Sequence, residues 1–354
     1  MSEIDRNRKD DHLNMALKFH NQNQKSDFDD LEFIHQVFPN INFNDVDIST
    51  KIAGFDLTHP FYINAMTGGS NFTKKYNEKL AILARETGTM MAVGSLSIAL
   101  KDKETEESFR IVRKLNPNGI IFANLGADKT LDEVKRACEI IKADGIQIHV
   151  NAAQEIVMPE GDRDFSNWLE NISEIVNNVD IPVIIKEVGN GMSREAISKL
   201  LEIGVKTVDI SGKGGTNFNK IENERRTHDK YDFLLDFGNS TVISLLEAQE
   251  YLDRLEIISS GGIRNSMDII KSLSLGASSV AMAGRMLKLL DEYPLKKAIE
   301  IVNNWKYQIK AIMTLLGAKN IAELRKKDLI IKNEVKNWCE IRGIDYKRFG
   351  NRAN

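Results

Sequence analysis

Eight short apolar runs, each followed by a polar stretch and then a helical pattern, predict an α/β chain folded as a (β/α)8 (TIM) barrel, with an N-terminal extension and C-terminal helices. The runs are Phe61–Met66, Thr89–Val93, Gly119–Asn124, Gly145–Val150, Ile181–Lys186, Thr207–Ser211, Glu256–Ser260 and Ser278–Ala283. Most successive starts lie 22 to 36 residues apart; the exception is the step of 49 from residue 207 to residue 256. Each run is nearly continuous Ile, Val, Met and Ala, as a parallel strand covered on both faces requires. Between them the apolar period is helical. Leu131, Val134, Ala137, Cys138, Ile140 and Ile141 share one face, and the pattern from Asp268 ends on Gly276 as a cap. A doubly wound sheet alternates in the same way, but typically with fewer units.

The flanks are assigned next. Residues 1–60 read as a polar arm, one or two helices and a short hairpin over the barrel bottom. Residues 61–290 are the barrel. Residues 291–354 read as helices at Leu295–Leu316, Ile321–Arg325 and Lys332–Arg342, packed on the barrel or on a neighbouring subunit. At 354 residues such a chain buries about 75% of its unfolded surface, so it needs no staple.

Composition narrows the function. Lys+Arg is 48 and Asp+Glu is 51, a net charge of −3, which argues against nucleic-acid binding. No run of 18 apolar residues spans a membrane. The first twenty residues lack the apolar segment of a secretory signal. The two cysteines, Cys138 and Cys339, are too few and too far apart for a disulfide framework or a CxxC metal site. A cytoplasmic location is expected.

Barrels of this kind carry their chemistry at the C-terminal ends of the strands, with phosphates commonly held after the seventh and eighth. After the seventh run comes Ser260-Gly261-Gly262-Ile263-Arg264, and after the eighth Ala283-Gly284-Arg285. Paired glycines let backbone N–H groups approach a phosphate, although Gly-Gly also serves a plain tight turn. Ala65-Met66-Thr67-Gly68-Gly69 and Ser211-Gly212-Lys213-Gly214-Gly215-Thr216 place donors on small residues, suited to a flat ring across the mouth. The second run ends at Ser95, the third at Asn124, the fifth at Lys186. A lysine at a buried strand tip is costly unless it meets an anion. These features point to FMN rather than a sugar phosphate, though residues alone do not separate the two.

The fourth run ends His149-Val150-Asn151-Ala152-Ala153-Gln154-Glu155. Alternation puts His149 and Asn151 on one face. One carboxylate, here Glu155, with phosphate oxygens and waters is how Mg²⁺ is usually held. Arg8, Lys9 and His12 in the arm form either a diphosphate clamp or a solvated tail.

Taken in order, these motifs resemble type 2 isopentenyl-diphosphate isomerase, the flavin-dependent form, from about residue 6 to about residue 345. The resemblance rests on Arg8-Lys9-x-x-His12, Ala65–Gly69, Gly94-Ser95, Ala123-Asn124, His149-x-Asn151-x-x-Gln154-Glu155, Ile185–Gly191, Asp209-x-Ser211-Gly212-x-Gly214-Gly215-Thr216 and Ser260–Arg264. It implies interconversion of isopentenyl and dimethylallyl diphosphate with FMN, NADPH or NADH as reductant, and Mg²⁺. It assigns Ala65, Met66, Thr67, Ser95, Asn124, Lys186, Ser211, Thr216, Gly262, Ile263, Arg264, Ala283 and Gly284 to FMN. Arg8, Lys9, His12 and Gln154 go to substrate and Glu155 to the metal, with Gln154, His149 and Asn151 at the chemistry. It also implies a homotetramer or larger assembly. The rival within the fold, a hydroxy-acid oxidase, resembles a pattern with a His near the end of the sixth strand; Ser211–Thr216 has none. A nucleotide dehydrogenase needs a Cys there, which is also missing, and a ligand-binding scaffold is the non-enzymatic alternative.

Overall fold

In the computed structural model of the chain, residues 3–20 and 25–352 are described, with side chains from residue 8 onward. The barrel strands are β4 (Phe61–Ile63), β5 (Met91–Ala92), β6 (Ile121–Gly126), β7 (Gly145–His149), β8 (Val183–Lys186), β9 (Thr207–Asp209), β10 (Glu256–Ser260) and β11 (Ser279–Met282). They follow β1 (Leu31–Phe33), β2 (Thr50–Ile52) and β3 (Phe55–Leu57), and precede β12 (Leu329–Ile331). The eight pair in parallel and in chain order, and β11 closes on β4. One boundary differs usefully from expectation. β6 runs on to Gly126, so Asn124 sits inside a strand, opposite Gln147, rather than at its end.

Near-complete burial explains why these runs are apolar throughout. One face meets the surrounding helices and the other fills the barrel. The lower filling is apolar: Tyr62, Met90, Ala92, Phe122, Ile184, Ile258 and Ala281 pack with Ile52, Ala53 and Leu57 of the β2–β3 hairpin. The hairpin is pinned under the barrel by Ala53 N–H to Glu256 Oε2 (2.6 Å) and Thr50 Oγ1 to the Ser278 carbonyl (2.6 Å). Higher up, the filling turns polar, with Asn64, Gln147, Lys186, Asp209 and Ser260 all buried.

The N-terminal segment departs from the expected polar arm. It is a helix, Glu3–Phe19, laid against the helices that follow β4, β9 and β11. Its anchor is a short apolar stripe, with Leu13 and Ala16 buried one turn apart. Residues 21–24 and the Arg6 side chain lie outside the described residues. The C-terminal helix Leu295–Leu315 packs on Asn71–Thr87 and on Ser266–Ser274. Asn333–Arg342 is held by Glu247, a buried carboxylate accepting from Trp338, Arg342 and Arg194. The short β12, which pairs antiparallel with β1, carries no pattern legible in the sequence.

His59 is buried below the barrel between Thr58 Oγ1 (3.0 Å) and Thr89 Oγ1 (3.1 Å). Burial, reinforced by Lys306, pushes its pKa down to about 3. The folded imidazole stays neutral where the unfolded one protonates, so stability is lost as pH falls below the ordinary value of about 6.5. Each such histidine contributes a slope approaching ~1.4 kcal/mol per pH unit on that limb. Denaturation midpoints measured from pH 7 to pH 4.5 should fall with a shallower slope in His59→Asn than in the parent; parallel curves would contradict this.

Candidate active site

Two adjoining clefts open at the C-terminal ends of the strands. The first is bounded by the loops after β4, β8, β9, β10 and β11. It holds Ala65, Met66, Lys186, Ser211, Thr216, Gly262, Ile263, Arg264, Ala283 and Gly284 from the expected set. The second holds Arg8, Lys9, His12, Ser95, Asn124, His149, Asn151, Gln154 and Glu155. Ala65, Met66, Lys186, Val188 and Phe218 line both. Thr67 lines neither: it is buried beneath Gly94, where any Cβ would fall 2.6 Å from the Thr67 backbone.

The first cleft is built from backbone. Gly261 (φ +91°) and Gly262 (φ +71°) pass so close to the loop after β9 that a Cβ on either would strike Gly212 O (1.9 Å) or the Gly214 carbonyl carbon (2.9 Å). Only glycine fits both the angle and the approach. The result is a small-residue cradle of the kind that holds phosphate through N–H groups. Arg264 lines this cleft, and its guanidinium is tied to two carboxylates, Nε and Nη2 with Asp268 (2.8 and 3.1 Å) and Nη1 and Nη2 with Asp29 (3.0 and 2.7 Å). These pairs buttress the turn. Arg285 also lines the cleft, with its guanidinium 5.4 Å from the centre of the Trp305 ring. Its Nε is buried without a hydrogen-bond partner among the described residues, as is His20 Nε2 on the same cleft. Orphaned polar groups beside a glycine cradle fit a phosphorylated flavin.

Lys186 stands where the clefts meet. It is 5% exposed, and its Nζ donates to the Glu187 carbonyl at 2.7 Å. Burial pushes its pKa down, while Asp209 and Glu187 work against that. Behind it, Glu187 Oε2 accepts the N–H groups of Val188 and Gly189 (both 2.6 Å), Asn190, and Gly191 (3.1 Å). That single carboxylate fixes the course of the loop after β8.

The second cleft is polar and cationic. His149 Nδ1 lies 2.7 Å from Asn124 Oδ1. With that oxygen as acceptor, Nδ1 carries the proton. Burial, then Lys186, lowers the His149 pKa to about 3, so the ring is neutral. Glu155 accepts from Asn151 Nδ2 (2.7 Å) and from the Asp162 N–H (2.9 Å), and burial raises its pKa. Among the described residues no group of three or more His, Cys, Asp or Glu is arranged to hold a metal. A cation at Glu155 therefore fits only with ligand oxygens completing its shell. Arg8 and Lys9 reach into this cleft from the N-terminal helix. Arg8 Nη1 is 3.6 Å from Glu160 while its Nε is buried without a partner, and Lys9 Nζ donates to the Ser95 carbonyl at 3.4 Å.

Glu222 is the largest omission of the sequence reading. It is fully buried on the helix Phe218–Arg225. It accepts from Gln154 Nε2 (3.0 Å), lies 2.8 Å from His12 Nε2, and pairs with Arg225 (2.5 Å). Burial opposes ionisation, but His12, Gln154 and Arg225 outweigh it and hold the carboxyl at about 2. Nothing in Phe218-Asn-Lys-Ile-Glu-Asn-Glu-Arg225 marks this glutamate, because the segment reads as a solvated helix.

Comparison with known proteins follows this geometry. The FMN-dependent dehydrogenase family matches residues 98–331. An isopentenyl-diphosphate delta-isomerase of Staphylococcus haemolyticus is 48% identical over 98% of this chain and all of its own length. One of Latilactobacillus sakei is 48% identical over 96% of this chain and 97% of its own. The chain belongs to the type 2, FMN-dependent isopentenyl-diphosphate isomerase family. Among solved structures, a flavocytochrome b2 variant superposes with a TM-score of 0.67 at 21% identity, over 92% of this chain and 87% of that one. A mandelate oxidase variant does so with 0.65 at 14%, over 93% and 99%. Those two likenesses concern the fold.

The cradle generates a direct test. Gly262→Ala introduces a Cβ at φ +71° against the Gly214 backbone. Titration of the apoprotein with FMN should show at least a tenfold weaker affinity, roughly 1.4 kcal/mol; unchanged affinity would contradict the backbone cradle.

Proposed function

We propose that this chain interconverts isopentenyl diphosphate and dimethylallyl diphosphate, with FMN in the first cleft and the substrate in the second. The observation that carries this is the meeting of the two clefts at Lys186 and Met66, in a chain nearly half identical over its length to proteins named for that reaction. The hydroxy-acid oxidase reading has less support. The loop Ser211–Thr216 offers no histidine, and the oxidase-type neighbours share the fold at low identity.

The reaction is a redox-neutral 1,3-proton shift. When bound, reduced FMN supplies a proton donor at its N5 edge and negative charge near N1 and O2. The protein residues do the rest. Lys186 sets a cation under that negative charge. Thr216 would flank the ring from the first cleft and Ser95 and Asn124 from the second, with Ala283 and Gly284 at the phosphate. Arg8, Lys9 and His12 would bind the diphosphate, and Glu155 would hold Mg²⁺ there. These contacts orient a C5 chain that has no handle of its own. Gln154, which donates to Glu222, is a candidate for moving a proton. His149, neutral down to about pH 3, serves there as a hydrogen-bonding group and Asn151 orients Glu155. NADPH or NADH would serve only as the reductant of the flavin.

We also place the enzyme in the cytoplasm as a homotetramer or larger assembly. No helix among the described residues is long and apolar enough to cross a membrane, and both cysteines are free thiols.

Anaerobic incubation with isopentenyl diphosphate, FMN, NADPH and Mg²⁺ should yield dimethylallyl diphosphate. Full turnover on oxidised FMN without any reductant would contradict the role given to the reduced flavin. The pair Arg8→Ala/Lys9→Ala should raise KM about tenfold or more, with a smaller effect on kcat, since it removes binding present before and during the chemistry; an unmoved KM would reject the clamp.

A further inference from the structure

Asp209, at the end of β9, lines neither cleft and is fully buried, yet both of its carboxylate oxygens are engaged. Oδ1 accepts Ser260 Oγ–H at 2.6 Å and the Ser211 N–H at 3.1 Å; Oδ2 accepts Asn64 Nδ2–H at 2.7 Å. Asn64 Oδ1 in turn accepts the Ala65 N–H at 2.9 Å. Each donor stands at the root of a loop that walls the first cleft: Ala65–Met66 after β4, Ser211–Thr216 after β9 and Gly261–Arg264 after β10. On the adjacent strand Asp209 is the register partner of Lys186.

Three donors converging on one acid is a demand for an acceptor without hydrogens, which an ionised carboxylate meets and an amide does not. Ionised, Asp209 is a buried anion, and buried anions persist when a cation compensates them. Lys186 is the buried cation on the next strand, its Nζ donating to the Glu187 carbonyl at 2.7 Å. We propose that Asp209 is a positioning residue of the flavin site: it fixes the roots of three cleft loops and balances the charge of Lys186, so that the lysine remains cationic where the reduced ring gathers negative charge. This rests on the reading of the first cleft as the FMN site.

Two measurements test it. Asp209→Asn keeps the shape and removes the charge. Titrated with FMN, its apoprotein should bind at least tenfold more weakly, and the flavin still bound should be harder to reduce, because Lys186 without its counter-charge gives up its proton. The expected shift is at least a tenfold change in the oxidised-to-reduced equilibrium, ~30 mV for a two-electron couple. Wild-type affinity and potential would overturn the proposal; weaker binding at an unmoved potential would leave a structural hub and overturn the charge balance. The second measurement needs no flavin. Apoprotein stability is compared for Asp209→Asn, Lys186→Met and the double variant. The double variant should retain at least tenfold more of the folding constant than the two single losses predict together; additive losses would overturn the pairing. Should Asp209→Asn alone not fold, recovery in the double variant supports the pairing and failure overturns it. If the parent protein takes up no FMN, the flavin reading falls while this cycle still judges the pair.

Discussion

A lysine ammonium held at the tip of β8, almost out of reach of water, is the constraint around which the mouth of this barrel is arranged. A buried cation is tolerated only where the protein supplies opposite charge and acceptors. Here the Glu187 carbonyl accepts directly from Lys186, and two carboxylates press against its burial penalty. The apolar lower barrel, stoppered by the β2–β3 hairpin, removes water from below. The result is a fixed positive charge exposed to both clefts and to little else. Such a charge favours an anionic ring above it without reorganisation when the charge develops.

The two clefts divide the work by material. The first is made of backbone and small residues, because loops that interlock at van der Waals distance leave no room for side chains. Arg264, in the turn after β10, is held by Asp29 and Asp268, and so stiffens the turn. The second cleft is made of long polar side chains from β6, β7 and the N-terminal helix. That helix is tied in through Glu160 and Glu222, two carboxylates joined by Arg225. Arg8, His12 and Gln154 are therefore joined through one small network.

Much of this was legible from residues alone, for a physical reason. Strands buried on both faces must be apolar throughout, so the eight runs stand out, and the loops after them are where glycine and lysine have no structural excuse. What escaped has a reason too. Glu222 and Arg225 lie on a polar helix whose burial comes from tertiary packing, not from its own pattern. The helix at Glu3–Phe19 is amphipathic over little more than Leu13 and Ala16, too short a stripe to separate a docked helix from a solvated arm. β1 and β12 are three residues each and nearly 300 positions apart, so no local signal pairs them. The ion pairs of Arg264 were hidden too, because sequence shows a cation beside Gly-Gly but not the distant Asp29 that reaches its side chain.

The account as a whole stands on the two ligands sharing one edge at Lys186. A crystal structure of the protein with reduced FMN and isopentenyl diphosphate, prepared without oxygen, measures this directly. The account predicts the flavin phosphate on Gly262–Ile263 and Ala283–Gly284, the ring within hydrogen-bonding reach of Lys186 Nζ, and the diphosphate against Arg8, Lys9 and Glu155. A flavin bound away from Lys186, or a diphosphate outside the cleft of His149 and Gln154, would contradict it.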